Sequence, residues 1–125
     1  MAYKTVLHID DDQDDLDFFS TTVEEIKPDV LCISLNSAED ALKKIRALEF
    51  LPEIIFLDLN MPRMNGFQFL EAIKKIPGLK IPVVVLSTSS QEETIDTVKE
   101  LGASDYITKP SNIDEFIRLL TPFLL

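Results

Sequence analysis

Strand-length apolar runs alternate with stretches of helical period five times along this chain, and few folds accept that pattern. Thr5-Val6-Leu7-His8-Ile9 reads as a strand, followed by a helix with Leu16, Phe19, Val23 and Ile26 on one face. Val30 to Leu35 is the second strand, after which Ala38, Ala41, Leu42, Ile45 and Leu48 recur at helical spacing. Ile54 to Leu57 is the third, with Phe67, Leu70, Ile73 and Ile76 behind it. Ile81 to Leu86 is an almost purely apolar strand around Pro82, followed by Thr94, Ile95, Val98 and Leu101. The last pair is Tyr106-Ile107-Thr108 and a helix carrying Ile113, Phe116, Ile117 and Leu120. Pro28, Pro52 and Pro77 each follow a helical stretch, and Gly78 and Gly102 fall where helices should stop. Strict alternation with buried strands predicts an α/β fold, a doubly wound parallel sheet of five strands with helices on both faces.

The bulk properties narrow the setting. A length of 125 residues suits one domain, residues 1–125 with a core over about 4–121, and 46% hydrophobic content is too high for a disordered chain. No apolar run approaches the roughly 18 residues of a membrane span, and Met1-Ala2-Tyr3-Lys4-Thr5 lacks the layout of a signal peptide. The single cysteine, Cys32, reads as a small buried hydrophobe, so no intrachain disulfide forms and a cytoplasmic location is expected. A net charge of −10 repels phosphate backbones and anionic lipid, which argues against direct nucleic-acid binding and membrane insertion.

Against this background Asp58 stands out. It closes the run Ile54-Ile55-Phe56-Leu57 as a lone carboxylate at the carboxyl end of a buried strand. In open α/β sheets that edge is where ligands bind, and an unpartnered acid there is costly. Asp10 and Asp11 follow the first strand directly and lie at the same edge. Carboxylates gathered there repel one another unless a hard cation sits among them, and Mg²⁺ suits such oxygen ligands. Six of the eight residues from Asp10 to Asp17 are Asp. Asp12, Asp14, Asp15 and Asp17 read instead as a solvated first turn compatible with the helix dipole. An EF-hand is excluded, because its sixth and twelfth positions counted from Asp10 are Asp15 and Thr21 rather than Gly and Glu.

Ser87 ends the fourth strand and Lys109 the fifth, so four strand ends each bring a polar group to one edge. A hydroxyl donor and an ammonium facing carboxylates and a cation form a cradle for a phosphoryl group. Asp58 is then the nucleophile, giving a labile acyl phosphate whose added charge biases a bistable surface. His8, with apolar neighbours in the first strand, reads as a core residue rather than a phosphodonor.

Ile9-Asp10-Asp11, Asp58-Leu59-Asn60-Met61-Pro62 with Gly66, Ser87, and Gly102 to Pro110 closely resemble the receiver domain of two-component response regulators, over nearly the whole chain. The resemblance implies the flavodoxin-like (βα)5 fold with strand order 2-1-3-4-5. It implies phosphorylation of Asp58 by a histidine kinase or histidine phosphotransfer protein, with self-phosphorylation and slow self-dephosphorylation but no other enzymatic activity. Mg²⁺, with Mn²⁺ as an alternative, would be held by Asp11, Asp58 and the backbone carbonyl of Asn60, with Asp10 acting largely through bound water. Lys109 would contact the phosphoryl group and precede a cis bond to Pro110. Ser87 would swing toward the phosphate and Tyr106 inward behind it. The face made by the fourth helix, fifth strand and fifth helix would then meet a downstream protein target. A monomer or weak dimer is expected.

Two positions depart from the family pattern. Thr88 stands where Ala or Gly is usual, which would narrow access to Asp58, and Ser111 stands where many receivers place Phe. Haloacid-dehalogenase-type phosphatases are the rival: Mg²⁺-dependent enzymes with an aspartate nucleophile. Their nucleophile follows the first strand and their acidic pair comes late, the reverse of the order here. A constitutive protein-interaction module is the third reading, although every chemical position is filled. A start at Met1 and no trailing linker favour a stand-alone regulator, a phosphorelay intermediate or chemotaxis-type messenger, and the apolar end Thr121 to Leu125 would dock on a partner or on the domain itself.

Overall fold

The computed structural model describes residues 2–125. Its elements run β1 (Thr5–Ile9), α1 (Gln13–Ile26), β2 (Leu31–Leu35), α2 (Ala38–Arg46), β3 (Ile54–Asp58), α3 (Gly66–Lys74), β4 (Val83–Ser87), α4 (Glu92–Glu100), β5 (Asp105–Thr108) and α5 (Ile113–Leu124). Every strand pair is parallel and the sheet order is β2-β1-β3-β4-β5. The doubly wound α/β sheet expected from the alternation, with order 2-1-3-4-5, is the fold of this chain.

Side chains alternate across each strand, which divides the core in two. Leu7, Ile9, Ile55, Leu57, Val83 and Val85 cluster with buried residues of α2, α3 and α4. Val6, Ile54, Phe56, Val84 and Leu86 cluster with those of α1 and α5. β3 and β4 are buried at every position, because each has strand neighbours on both sides and helices on both faces. β2 lies at an edge, and there Leu31 is 57% exposed.

Four helices begin at a side-chain cap. Asp12, Ser37, Asn65 and Asn112 accept from the backbone amides of Asp14, Asp40, Gln68 and Glu115. Asn65 and Gln68 do so reciprocally, in a capping box. α4 is the exception. Gln91 makes no side-chain cap bond, and Val98 is its one fully buried residue, so Thr94 and Ile95 of the expected stripe are only partly covered.

Two boundaries differ from the sequence reading. β4 starts at Val83 rather than Ile81, since Pro82 has no amide to give the ladder; its carbonyl accepts from Ile55 N at 3.0 Å. α5 continues through Pro122 to Leu124. A proline so near the helix end forfeits a bond only in the last turn. Burial favours the continuation: Leu124 is 1% exposed in the core beside α1, and Tyr3 N donates to Phe123 O at 3.0 Å. The apolar end docks on its own domain, leaving Leu125 exposed.

Gly66 fixes how α3 meets the end of β3. Its amide donates to Leu59 O at 2.9 Å, and a Cβ there would lie 2.4 Å from Asp58 O and 2.7 Å from Leu59 Cα. Both obstacles are backbone, so neither swings aside. Gly66→Ala is expected to lower the unfolding free energy by about 1–3 kcal/mol, seen as a lower urea midpoint at unchanged slope. An unmoved midpoint would show that this junction has slack.

Candidate functional site

Strand register decides what meets at the carboxyl edge. Ile9 is level with Leu57, so Asp10 and Asp58 come next at one height. Asp58 is level with Leu86, and Ser87 with Thr108, which carries Ser87 one step and Lys109 two steps beyond. Asp10, Asp11 and Asp58 each offer an oxygen within 4.8 Å of the others; the first and last are buried, while Asp11 opens the cluster to solvent.

Lys109 crosses this cluster. Its Nζ lies 3.0 Å from Asp10 Oδ2, 2.9 Å from Asp15 Oδ2 and 3.2 Å from Asp58 Oδ1. Its backbone amide donates to Ser87 O at 2.8 Å, anchoring the base of the side chain to β4. Asp10 Oδ1 accepts from Asp12 N at 3.0 Å. Ser87 is buried, and its Oγ accepts from Ser89 N at 3.2 Å. The Tyr106 hydroxyl donates to the carbonyl of Ser89, tying β5 to the loop before α4. Asn60 and Thr88 are exposed in the loops after β3 and β4.

Two expectations are corrected. Asp15 is no mere solvated acid of the first turn: it gives Lys109 its shortest contact. α1 starts four residues beyond β1, so its first turn stands over the strand end just left, and periodicity alone does not show which acid leans back. Asp12 is the helix cap, while Asp14 and Asp17 are exposed. The bond between Lys109 and Pro110 is trans, not cis. Trans is favoured by about 0.5–1 kcal/mol before proline, and Lys109 makes all its contacts with the bond in that form.

The electrostatics show how far the carboxylates are from rest. Burial pushes the Asp10 carboxyl up to about 6, against bonds from Asp12 N and Lys109, and the charge of Asp58 adds to the rise. Burial raises Asp58 as well, with Lys109 opposing and Asp11 reinforcing. For Lys109 burial works downward, but its bonds to Asp15 and Asp10 and the charge of Asp58 outweigh it, holding the ammonium firmly charged. His8 is buried, as expected; burial and then the Lys109 charge bring its pKa down to about 3, so the ring is neutral. The half-buried Cys32 thiol is raised to about 11 by burial, consistent with an inert hydrophobe.

The raised Asp10 pKa sets a sign. The free side chain titrates at 3.8 and the folded one at about 6, so between these values the folded chain keeps a proton that the unfolded chain has released. Stability contributed by that proton is lost as pH rises through the window. With no divalent cation added, Asp10→Asn is expected to stabilise the protein by about 2–3 kcal/mol above that window and by much less at about pH 4. Equal gains at both pH values in urea unfolding would contradict the shift.

Comparison with known proteins agrees with this geometry. The sequence pattern of the "Response regulator receiver domain" family matches residues 6–121. A protein-glutamate methylesterase/protein-glutamine glutaminase of Treponema denticola is 50% identical over 74 residues, 57% of this chain but 19% of that protein. The chain thus spans less than a third of the length of such methylesterase relatives. The crystal structure of the phosphorylated cyanobacterial phytochrome response regulator RcpA superposes with a TM-score of 0.86 at 29% identity, covering 97% of this chain and 91% of that one. The Mn²⁺-bound form of response regulator Rcp1 superposes at 0.78 with 31% identity, covering 95% and 90%. Phosphorylation by histidine kinases or phosphotransfer proteins, and Mg²⁺ or Mn²⁺ at an acidic pocket, are features of this family. With its acidic edge, its crossing lysine and a family match from the first strand into the last helix, this chain belongs to the response regulator receiver domain family.

Proposed function

We propose that this receiver is a phosphoacceptor switch charged at Asp58 by a phosphohistidine on a histidine kinase or histidine phosphotransfer protein. The observation that carries this reading is the convergence of Asp10, Asp11, Asp58 and Lys109 on one spot at a sheet edge. Three carboxylate oxygens within 4.8 Å, two of them on acids with raised pKa, suit a hard divalent cation. Asp11, Asp58 and the Asn60 carbonyl would hold Mg²⁺ or Mn²⁺, with Asp10 largely through water. Once bound, the cation supplies charge neutralisation at the phosphoryl oxygens.

The chain's own residues do the rest. A carboxylate oxygen of Asp58 attacks phosphorus as the phosphorus–nitrogen bond to the donor imidazole breaks, its electron pair returning to the ring nitrogen. Lys109, one short reach from Asp58, trades a carboxylate for a phosphoryl oxygen. Ser87 donates its hydroxyl to another. Little covalent machinery is needed beyond this positioning. Ser89 couples the site outward, because its amide meets Ser87 Oγ while its carbonyl holds Tyr106. Movement of Ser87 toward the phosphoryl group therefore disturbs the loop that anchors Tyr106, and the α4-β5-α5 face carries the change to a protein target. Among the described residues no helix is long and apolar enough to cross a membrane. The switch acts in the cytoplasm as a monomer or weak dimer.

With Mg²⁺ and a small acyl phosphate donor, intact-mass spectrometry is expected to show one added phosphoryl group per chain, absent from Asp58→Asn. Labelling that persists in the variant would sink the assignment, and steady multiple turnover of a phosphate ester would favour a phosphatase. Thr88→Ala, which trims an exposed side chain beside Ser87, is expected to change the lifetime of the phosphorylated form severalfold. Identical decay curves would show that Thr88 does not gate access.

A further inference from the structure

Beside the carboxylates lies a small, partly open cavity of about 30 Å³, lined on its polar side by His8, Asp10, Asp15 and Lys109 and walled by apolar side chains that include Leu86 and Phe116. His8 is 1% exposed, and among the described residues neither of its ring nitrogens has a hydrogen-bond partner. Buried polar atoms are seldom left so. One face of the ring packs on Phe19, with centroids 4.2 Å apart. Its Nε2 lies 3.8 Å from Asp10 Oδ2, beyond a direct hydrogen bond but a span that one water bridges. The cavity has room for about one or two waters, and its polar groups supply the partners a buried water needs.

We propose that a structural water in this cavity joins His8 to Asp10, making His8 a positioning residue for the Asp10 carboxylate. The neutral ring carries its proton on Nε2 and donates it to the water oxygen, and the water donates to Oδ2. Oδ1 already accepts from Asp12 N at 3.0 Å, so the bridge ties the second oxygen and fixes the plane of the carboxylate. Lys109 also touches Oδ2, at 3.0 Å. When its ammonium turns to a phosphoryl oxygen, the water is the bond that remains. That last step rests on the phosphoacceptor reading; the bridge itself does not.

Two measurements test the proposal. In ¹⁵N-histidine-labelled, metal-free protein, His8 is expected as a single neutral tautomer with Nε2 protonated and a cross-peak from that proton to water. The Nδ1-protonated tautomer, or no water cross-peak, overturns the bridge even if every variant fails to fold. In calorimetric titrations with Mg²⁺, His8→Phe is expected to weaken binding about threefold or more, and His8→Gln, which keeps a polar group at the cavity, to stay within about twofold of the parent. A merely structural histidine would leave the Phe variant's affinity unchanged or weaken both variants equally, and either result overturns the positioning role. Failure of the parent protein to bind Mg²⁺ would strike the cation reading, whereas the tautomer measurement judges the bridge without metal.

Discussion

Carboxylates crowd the carboxyl edge of this sheet, and one ammonium holds them in check. Asp10 and Asp58 are buried, Asp11 is close by, and Lys109 lies within 3.2 Å of Asp10, Asp15 and Asp58 at once. Burial raises the pKa of Asp10 and of Asp58, and the charge of a neighbouring carboxylate adds to each rise. The balance has a topological cost. Lys109 is 99 residues from Asp10 and 94 from Asp15, so the cradle exists only once β5 has joined the sheet begun by β1. At the opposite, amino-terminal edge of the sheet, Tyr3 N bonds Phe123 O and ties the start of β1 to the last turn of α5. Site and fold therefore close together, and the charged cluster has no meaning in a partly assembled sheet.

The rigidity of the cradle comes from the strands beneath it. β1 and β3 are neighbours in space though β2 intervenes in sequence, so the order reverses there and leaves a crevice above their ends. Both faces of β3 are sealed by large side chains, among them Phe56, Leu57 and Phe69. Gly66 adds a clamp from above, bringing the start of α3 against the carbonyl of Asp58 itself. Asp58 is thus held by backbone and core, while Lys109 reaches it on a long side chain from the far strand.

Much of this was legible in the sequence, for a physical reason. Period-two and period-3.6 patterns report which faces are buried, and strand ends in a parallel sheet share one edge, so Asp10, Asp11, Asp58, Ser87 and Lys109 can be gathered without coordinates. What escaped depends on contacts between distant segments. Asp15 looks like its acidic neighbours until α1 is tilted over Lys109. Pro122 looks like a stop until Leu124 is seen filling the core beside Val23 and Phe116. His8 reads correctly as a core residue, but sequence gives no hint of the cavity beside it. The cis bond expected before Pro110 came from family resemblance rather than from these residues, and the chain does not form it.

The helix that follows the Ser89 loop differs from the other four in how it is held. α4 has no side chain closing its N-terminus and gives one fully buried residue, Val98, to the core. β4 before it is buried throughout, whereas α4 itself is held by little, so a small free energy would suffice to move it between placements. About 1.4 kcal/mol, the scale of a single charge-assisted hydrogen bond, changes the ratio of two such placements about tenfold. Under the proposed phosphoacceptor role, an element so loosely held, directly downstream of the loop bonded to Ser87, is where one added phosphoryl group would have the greatest effect on the surface.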